Sequence, residues 1–402
     1  MENVSTLARE IHTKEMVLQM GPSHPAMHGT VRMLLTLDGE TVVDTDINIG
    51  YLHRGFEKMC ENRTYHQAII YTDRLNYVSP IINNFGYAMT VEKLFGIDIP
   101  VRGKYIRTIM SEISRITDHL TCVAATAMEL GALTAFLYML KAREELWKLI
   151  EDVSGGRGVT PSYGRIGGVK ADLSEDFHDK TINAIKITRD VLKEIHGLLT
   201  KNRIFVDRVK GVGVITADEA ISHGFTGPCL RSTGVPYDVR KAQPYMMYAQ
   251  MDFDVPVGSN GDNYDRYLCR MEEMQQSMGI IEQALAQIPS GPVNVEDKRI
   301  TFPSKKEVYS NMESLINHFK LFMEGHGICP PEGEAYQAVE GANGELGFYI
   351  VSDGTGKPYR MRCRAPSFCN MTGVKKMVVG GMIADIVPSF GSVNMIGGEC
   401  DR

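Results

Sequence analysis

The sequence predicts an α+β, predominantly helical protein, with a central helix bundle, a small N-terminal α/β module and a C-terminal β-hairpin region. Three observations lead to this prediction. Apolar and polar residues alternate within the segment 15–49, as they do in half-buried strands. Apolar residues recur every three or four positions in several long stretches of the segment 71–325, as in packed helices. Strand-forming residues return near the end of the chain, on both sides of a glycine-rich turn.

The N-terminal module is predicted to contain three strands, at residues 15–20, 31–37 and 41–49. The dipeptide Asp38-Gly39 separates the last two strands, and it favours the tight turn of a β-hairpin. A helix is predicted to follow over Phe56–His66. The module therefore offers a small sheet with loops at its edge.

One of those loops, Gly21–Gly29, carries two histidines, His24 and His28. Two histidines four positions apart on a helix could share a metal ion, but Pro25 removes a backbone donor and disfavours a helical conformation for His24. A helical two-histidine zinc site is therefore not expected. The glycines and prolines instead indicate a shaped loop that presents imidazoles.

Helical patterns dominate the middle of the chain, and glycine-rich loops separate them. In the first pattern Tyr77, Ile81, Phe85 and Met89 recur four positions apart, which places Tyr77 on the packed face of a helix. Long helices at such close spacing imply a bundle. The predicted helices cover Tyr71–Phe95, Lys104–Leu130, Thr134–Val153, Ser174–Leu199, Asn263–Gln287 and Lys305–Met323.

The C-terminal region is predicted to form two strands, Gly347–Val351 and Tyr359–Arg364, joined by the turn at residues 352–356. A final short helix is predicted over Val374–Ile386. The chain has neither an internal repeat nor a low-complexity linker, so we expect one interlocked domain over residues 1–402. Its regions are the α/β module with the histidine loop (1–70), the helical bundle with ordered loops (71–325) and the C-terminal strands with a short helix (326–402).

Composition narrows the class of function. The chain has 402 residues, 43% of them hydrophobic, which suffices for a large packed core. The net charge is only −6 and no block of Lys or Arg occurs, so nucleic acid is not an expected partner. The eight cysteines form no CxxC pair, and the chain starts with polar residues, which favours free thiols in a reducing compartment and no metal or cluster held by this chain.

The stretch Leu120–Leu140 is long enough to be considered as a membrane span, and Glu129 is its only charged residue. Gly131 near its middle and an unpaired carboxylate in lipid argue against that interpretation. Two helices that meet inside a protein core fit better. A carboxylate among Ala, Met and Leu must be paired, protonated or exposed to a cavity, which makes Glu129 a candidate functional residue.

No nucleotide-binding motif is complete. Gly354-Thr-Gly-Lys357 is followed by Pro358 where a phosphate loop needs Ser or Thr, and Gly211-Val-Gly213 lacks the third glycine of a dinucleotide fingerprint. If the chain takes part in NADH chemistry, another polypeptide must hold the nucleotide.

Ten segments resemble the D subunit of the proton-translocating NADH:quinone oxidoreductase, respiratory complex I. They are spread over nearly the whole chain and follow one another in the same order as in that family. They are Gly21–Gly29, Gly50–Lys58, Asn62–Tyr65, Asp73–Tyr77, Glu129–Thr134, Ile166–Lys170, Leu230–Val235, Tyr237–Lys241, Gly347–Gly354 and Arg364–Phe368. That family is in turn similar to the large subunit of nickel–iron hydrogenases, which supplies the expected fold.

A nickel–iron hydrogenase subunit is the alternative from another functional class. Its metals need four cysteine thiolates from two CxxC pairs, one near each end of the chain. Asp73–Pro80 stands where the first pair is expected and contains no cysteine, and Cys400 is alone at the other end. The resemblance therefore implies a cavity without metal that is reused for a quinone headgroup.

The resemblance also implies site residues. The quinone-headgroup tyrosine of the family falls on Tyr77, the quinone-facing histidine on His28, and the acidic partner of that histidine on Glu129, where most relatives have aspartate. His24 is expected to support the loop or to contact the quinone. Arg54 matches an arginine beside the terminal iron–sulfur cluster, which belongs to a neighbouring subunit and whose reduced form a positive charge favours.

These similarities imply a peripheral-arm subunit that is inactive alone, on the cytoplasmic side of the bacterial inner membrane or an equivalent side of an organelle membrane. Quinone is the expected substrate, and partner subunits are expected to hold NADH, FMN and the iron–sulfur clusters. The expected partners are the subunit with the terminal cluster and the membrane subunit at the quinone entrance. A purely structural scaffold of the same complex stays open as a third possibility.

The loop 155–163 has Val159 and Thr160 where many relatives carry a histidine, so proton-linked tuning of the cluster from this loop is not expected.

Overall fold

The computed structural model of the chain describes residues 15–323 and 327–402, so the polar start of the sequence lies outside the described residues. Its helices, in chain order, are α1 (Phe56–Glu61), α2 (Tyr65–Thr72), α3 (Pro80–Phe95), α4 (Val101–Glu129), α5 (Leu133–Ser154), α6 (Phe177–Ile195), α7 (Arg203–Val209), α8 (Ala217–Ser222), α9 (Gly227–Arg231), α10 (Val239–Ala242), α11 (Asn263–Gln287), α12 (Lys305–Ser310), α13 (Met312–Phe322), α14 (Pro366–Val378), α15 (Ile383–Val393) and α16 (Gly397–Asp401). Its strands are β1 (Met16–Met20), β2 (Arg32–Asp38), β3 (Thr41–Asn48), β4 (Gly164–Arg165), β5 (Gly168–Val169), β6 (Gly333–Gly341), β7 (Gly344–Ser352) and β8 (Arg360–Arg364). The prediction of an α+β, predominantly helical fold is confirmed.

The N-terminal sheet has the order β1-β2-β3, with antiparallel neighbours, as the alternating pattern predicts. Its buried face carries Met33, Leu35 and Leu37 on β2. These side chains belong to the same core cluster as Val374 of α14 and Phe390 of α15. The sheet is thus packed on helices from the far end of the chain, which brings the histidine loop next to α15.

The predicted helix over Phe56–His66 is wrong in extent. Thr64 begins a new helix at this point: its hydroxyl accepts a hydrogen bond from the backbone N–H of Gln67, and the Gln67 side chain bonds back to the Thr64 backbone. This reciprocal pair is a capping box, which favours a helix start and therefore separates α1 from α2.

The predicted helix over Tyr71–Phe95 is also wrong, and Tyr77 is not part of a helical stripe. Helix α2 ends at Thr72, and α3 begins only at Pro80. In between, the side-chain carbonyl of Asn76 accepts hydrogen bonds from the backbone N–H groups of Val78 and Ser79. An asparagine that bonds to the backbone two or three residues ahead stabilises a turn, and the proline is accepted at the first position of the next helix. We call residues 73–79 the tyrosine connection.

Helix α4 is the central element of the bundle. It is buried along most of its 29 residues and packs against α3, α5, α11 and α15. The predicted bounds of α4, α5 and α11 agree with the observed ones within about three residues. Helix α6 differs at both ends: it begins at Phe177 without a side-chain cap from Ser174, and it continues after Ile195 as a π-helical turn.

The predicted helix Lys305–Met323 consists of two shorter ones, α12 and α13. Asn311 lies between them with an extended backbone, and its side chain accepts from the N–H groups of Glu313 and Ser314. It is the N-cap of the second helix, a position that asparagine favours.

The C-terminal sheet has the order β6-β7-β8, and the predicted hairpin between β7 and β8 is confirmed. Strand β6 was not predicted. The predicted helix over Val374–Ile386 is wrong, because α14 already begins at Pro366 and ends at Val378. Gly380, with a φ of +86°, then turns the chain before α15 begins at Ile383.

Among the described residues, no helix combines the length and the apolar composition that crossing a bilayer requires.

Candidate functional site

A cavity of about 180 Å³ lies where the histidine loop, the tyrosine connection, the end of α4 and the α15–α16 junction meet. Three of the predicted site residues, His28, Tyr77 and Glu129, line it. The other lining residues are Val78, Thr121, Cys122, Ala125, Thr126, Gly391, Asn394, Met395 and Ile396. The cavity is several times larger than the roughly 30 Å³ that one water molecule occupies. His24 and Arg54 are not among its lining residues.

His28 is held by an unusual backbone conformation. It follows the short 3₁₀ turn Pro25–Met27 and adopts a φ of +52°, in the left-handed region that few residues other than glycine enter. Its ring packs edge-on against Phe390 of α15, with 5.7 Å between the ring centroids. The loop therefore fixes the direction of the imidazole, while 40% of the side chain stays exposed.

His24 serves the loop itself. Its Nδ1 accepts a hydrogen bond of 3.2 Å from the backbone N–H of Ala26, and the residue is the N-cap of the 3₁₀ turn. This contact fits the expected loop-support role. Direct quinone contact by His24 stays a prediction.

Glu129 is the last residue of α4, and its Oε1 lies 2.6 Å from Nε2 of His28. A negative charge at the C-terminal end of a helix faces the negative end of the helix dipole, so helix stability does not account for a carboxylate here. The second oxygen, Oε2, is buried and without a hydrogen-bond partner among the described residues. The resemblance implies an aspartate at this position, which is one methylene shorter. The glutamate of this chain makes the contact with His28 as well.

Gly391 of α15 leaves room for that carboxylate. A Cβ at this position would lie 3.0 Å from Oε2 of Glu129 and 3.1 Å from Oγ1 of Thr126. In the quinone site that the resemblance implies, Gly391→Ala is expected to push the Glu129 side chain away from His28 and to lower quinone reductase activity about tenfold, because small misplacements of reacting groups are costly. Gly279→Ala in α11 is the matched control, since nothing lies within 4 Å of the added methyl group. Equal activity of the two variants would contradict the prediction.

Tyr77 is half-buried and reaches the cavity from the tyrosine connection. Burial raises the pKa of its hydroxyl above the usual value of 10; the charge of Arg54 opposes this rise and that of Asp118 adds to it. The hydroxyl makes no hydrogen bond to any residue that the structure describes. At neutral pH it is therefore a protonated group that can donate a hydrogen bond into the cavity.

Arg54 lies beside the tyrosine connection. Its guanidinium donates a hydrogen bond to the backbone carbonyl of Arg74, and its charge acts on Tyr77. The side chain is otherwise exposed. Arg54 thus links this exposed surface to the tyrosine.

The sequence analysis missed a polar group beneath the cavity. Asp118 of α4 is fully buried, and its carboxylate accepts hydrogen bonds from Asn76, Ser79 and Asn394. Asn76 and Ser79 both belong to the tyrosine connection. In the described residues no group of three or more His, Cys, Asp or Glu side chains could hold a metal ion.

A second missed feature is a buried ion network that holds α4 to α11 and to the C-terminal sheet. Its members are entirely buried, and Glu273 alone contacts the guanidinium groups of three arginines. The network holds four carboxylates and three guanidinium groups, and each guanidinium group contacts at least two of the carboxylates. The network comprises Glu112, Arg115, Arg231, Asp238, Arg240, Glu273 and Glu340.

Comparisons with known proteins show the family of the chain. Residues 129–402 match the family described as the 49 kDa subunit of respiratory-chain NADH dehydrogenase. The first of the NADH-quinone oxidoreductase D subunits of Sorangium cellulosum is 53% identical over 394 residues, which are 98% of this chain and 97% of that protein. The NADH-quinone oxidoreductase D subunit of Myxococcus xanthus is 52% identical, over 99% of this chain and 95% of its own.

A further relative carries a double designation. The NADH-quinone oxidoreductase C/D subunit of Bdellovibrio bacteriovorus is 48% identical over 98% of this chain, which corresponds to 70% of that protein. Since the family matches more than half of the chain and these relatives match nearly all of it, the chain belongs to the 49 kDa (D) subunit family of NADH-quinone oxidoreductase.

Proposed function

We propose that this subunit forms the quinone-headgroup site of a proton-pumping NADH:quinone oxidoreductase. The observation that carries the proposal is that one cavity is lined by Tyr77, by His28 and by the carboxylate paired with that histidine. Tyr77 and His28 come from different segments of one cavity wall, and each can donate a hydrogen bond. Two such donors suit a quinone ring, which has two carbonyl oxygens. The relatives named as quinone oxidoreductase subunits support the choice of ligand.

Reduction of a quinone to a quinol takes two electrons and two protons. Negative charge develops on the carbonyl oxygens as electrons arrive, so donors aimed at those oxygens stabilise the transition state. The Tyr77 hydroxyl is one such donor and the His28 imidazole is the other. Histidine, with an ordinary pKa of about 6.5, can release a proton and be recharged near neutral pH, whereas tyrosine releases its proton only under strong drive.

The electrons are proposed to come from the terminal iron–sulfur cluster of a neighbouring subunit, which faces Arg54. The positive charge of Arg54 favours the reduced cluster, and its carbonyl partner Arg74 belongs to the tyrosine connection. Partner subunits hold NADH, FMN and the other clusters. The membrane subunit at the quinone entrance is the second proposed neighbour, which places this chain as a peripheral subunit on the cytoplasmic side of the inner membrane.

The His28–Glu129 pair is proposed to link chemistry to pumping. Glu129 stabilises protonated His28, and donation of that proton to the reduced quinone removes the charge that holds the pair together. Glu129 then lies as an uncompensated carboxylate at the end of α4, and this change in charge is passed toward the membrane arm.

Glu129→Gln tests this link. The amide keeps the size of the side chain but removes the charge, so we expect coupled quinone reduction to fall roughly tenfold, the loss expected for a hydrogen bond between charged groups. Quinone reductase activity and proton translocation are measured together in sealed membrane vesicles. Glu129→Asp is the control, because it keeps the negative charge. Unchanged coupling in Glu129→Gln would contradict the proposal.

Two alternatives give different results. Nickel in stoichiometric amount in the purified complex would favour a hydrogenase relative over the quinone site. Full quinone reductase activity of an assembled His28→Ala complex would favour a structural scaffold.

A further inference from the structure

We propose that Asp118 is a positioning residue of the quinone site: its carboxylate fixes the distance between two segments of the cavity wall, the tyrosine connection and the C-terminal segment after α15. This inference rests on the proposed function. Asp118 does not line the cavity itself, but both segments that it binds do, through Tyr77 in one and Asn394 in the other.

The first half of the arrangement holds the tyrosine connection. Oδ2 of Asp118 accepts a hydrogen bond of 2.8 Å from Nδ2 of Asn76 and one of 2.7 Å from Oγ of Ser79. Asn76 uses its other side-chain atom to accept from the backbone N–H groups of Val78 and Ser79. The shape of the turn around Tyr77 therefore depends on Asn76, and Asn76 is anchored by Asp118.

The second half holds the C-terminal segment. Oδ1 of Asp118 accepts a hydrogen bond of 2.8 Å from Nδ2 of Asn394. Asn394 ends α15 with a φ of +55°, and the next two residues, Met395 and Ile396, line the cavity. The same amide nitrogen also donates to Oδ1 of Asn343, in the turn between β6 and β7. Asn394 is thus where α15, the C-terminal sheet and α4 are joined.

The position of Asp118 on α4 adds to this. Residues 118 and 129 are separated by about three helical turns, so Asp118 and Glu129 lie on the same face of one helix. Helix α4 thereby supplies the carboxylate that holds His28 and the carboxylate that holds the segment of Tyr77. A single rigid element sets the relative positions of the two proposed proton donors.

The partners of Asp118 differ from those of the buried acids in the ion network. Glu112, Glu273 and Glu340 each contact arginine side chains. Asp118, in contrast, makes no ion pair with any described residue and is satisfied by three neutral donors. All three donors belong to segments that line or support the cavity. A carboxylate with this set of hydrogen-bond partners orders those segments, and its charge also acts on the buried guanidinium of Arg270.

Asp118→Asn changes one acceptor oxygen into a donor without a change of size. Either Asn394 or the Asn76–Ser79 pair then meets an N–H group, and the cavity wall on that side loosens. We expect the KM for a short-chain quinone to rise about fivefold to tenfold, with a smaller change in kcat, because the donors are misplaced and not removed. Electron transfer from NADH to an artificial acceptor, which bypasses the cavity, should be unchanged in the same assembled complex.

The double variant Asp118→Asn/Asn394→Asp tests whether these hydrogen bonds are the cause. Its residue 118 can accept from Asn76 and Ser79 while it donates to the new carboxylate at residue 394. The Asn343 amide, which accepts from Asn394 in the parent protein, has to turn so that its nitrogen donates to that carboxylate. With these bonds in place, the KM should return most of the way to that of the parent complex. A purely structural role for the charge of Asp118 predicts no such recovery. A double variant as defective as the single one would overturn the proposal, and so would a normal KM in Asp118→Asn.

A further variant keeps the test decisive if Asp118→Asn fails to assemble. Ser79→Ala removes one of the three hydrogen bonds, and an unchanged KM in that complex overturns the proposal, whereas a raised KM supports it. Tyr77→Phe separates the two levels of inference. If the cavity is not the quinone site, Tyr77→Phe and Asp118→Asn both have normal quinone kinetics; if only the positioning role is wrong, Tyr77→Phe alone is defective.

Discussion

Replacing Tyr77 by phenylalanine should lower quinone reductase activity about 100-fold, the lower end of what a positioned proton donor contributes. The change removes one oxygen atom and keeps the ring. Burial raises the pKa of this hydroxyl, so in the parent protein it is protonated at neutral pH and can donate to a developing oxyanion. Phenylalanine offers no donor, and the loss should appear mainly in kcat.

Assembly should survive this change. The Tyr77 hydroxyl makes no hydrogen bond to any of the described residues, so its removal leaves no buried partner unsatisfied. The amount of assembled complex and NADH oxidation by an artificial acceptor serve as internal measures. Tyr359→Phe is the matched control, since that residue is 69% exposed and does not line the cavity. Equal quinone reductase activity in the two variants would favour the scaffold alternative.

The position of Tyr77 also shows where sequence patterns mislead. A spacing of four from Tyr77 to Met89 is helical, yet the helix begins only at Pro80. The informative signals were local: an asparagine that can bond to its own backbone, followed by a proline that disfavours a helical conformation before it. Long regular elements were predictable because their apolar faces are continuous, and α4, α5 and α11 have nearly the expected bounds.

The site was predictable only in part. Surrounding residues indicated that Glu129 must be paired, protonated or exposed to a cavity, and the structure shows it both paired and at a cavity. Its partner His28 is 101 residues away, and no local pattern encodes that contact; the family resemblance suggested it. Asp118 gave no signal, because its three donors come from two distant segments of the chain. The catalytic roles of these residues stay predictions.

The buried ion network could not be predicted for the same reason. Glu112 and Arg115 form a recognisable pair one turn apart on α4, and such pairs are normally solvated. Here they are buried, because Arg231, Arg240 and Glu273 arrive from other parts of the chain. Strand β6 was not predicted for a related reason. A charged residue such as Glu340 argues against a buried strand in the sequence, but its side chain is buried in the ion network, where it pairs with Arg231.

Glu273→Gln should therefore have the largest effect on stability, about 3–5 kcal/mol, as expected when one partner of a buried ionic cluster is removed. The carboxylate lies 2.8 Å from Arg231, 3.1 Å from Arg240 and 3.4 Å from Arg115, and every one of these side chains is fully buried. The amide removes the one carboxylate of the network that contacts all three guanidinium groups. We expect much less assembled complex and a lower temperature of thermal inactivation.

A matched control lies on the same helix. Glu282 pairs with Arg189 through two hydrogen bonds of 2.7 and 2.8 Å, but both side chains are partly exposed. Glu282→Gln makes the same chemical change in a solvated pair, for which about 1 kcal/mol or less is expected. A similar loss of stability in Glu273→Gln and Glu282→Gln would show that the buried network stabilises the fold no more than a solvated ion pair does.

The loss of stability in Glu273→Gln should also depend on pH. Burial alone would raise the pKa of Glu273, but Arg231, His119 and Arg240 outweigh it and hold the pKa well below its usual value. The charged carboxylate therefore stabilises the fold fully above the unfolded pKa of roughly 4.3. This contribution declines as the pH falls below that value toward the native pKa. The stability difference between the parent protein and Glu273→Gln should be constant near neutral pH and shrink in acid, because protonation makes the two side chains alike in charge.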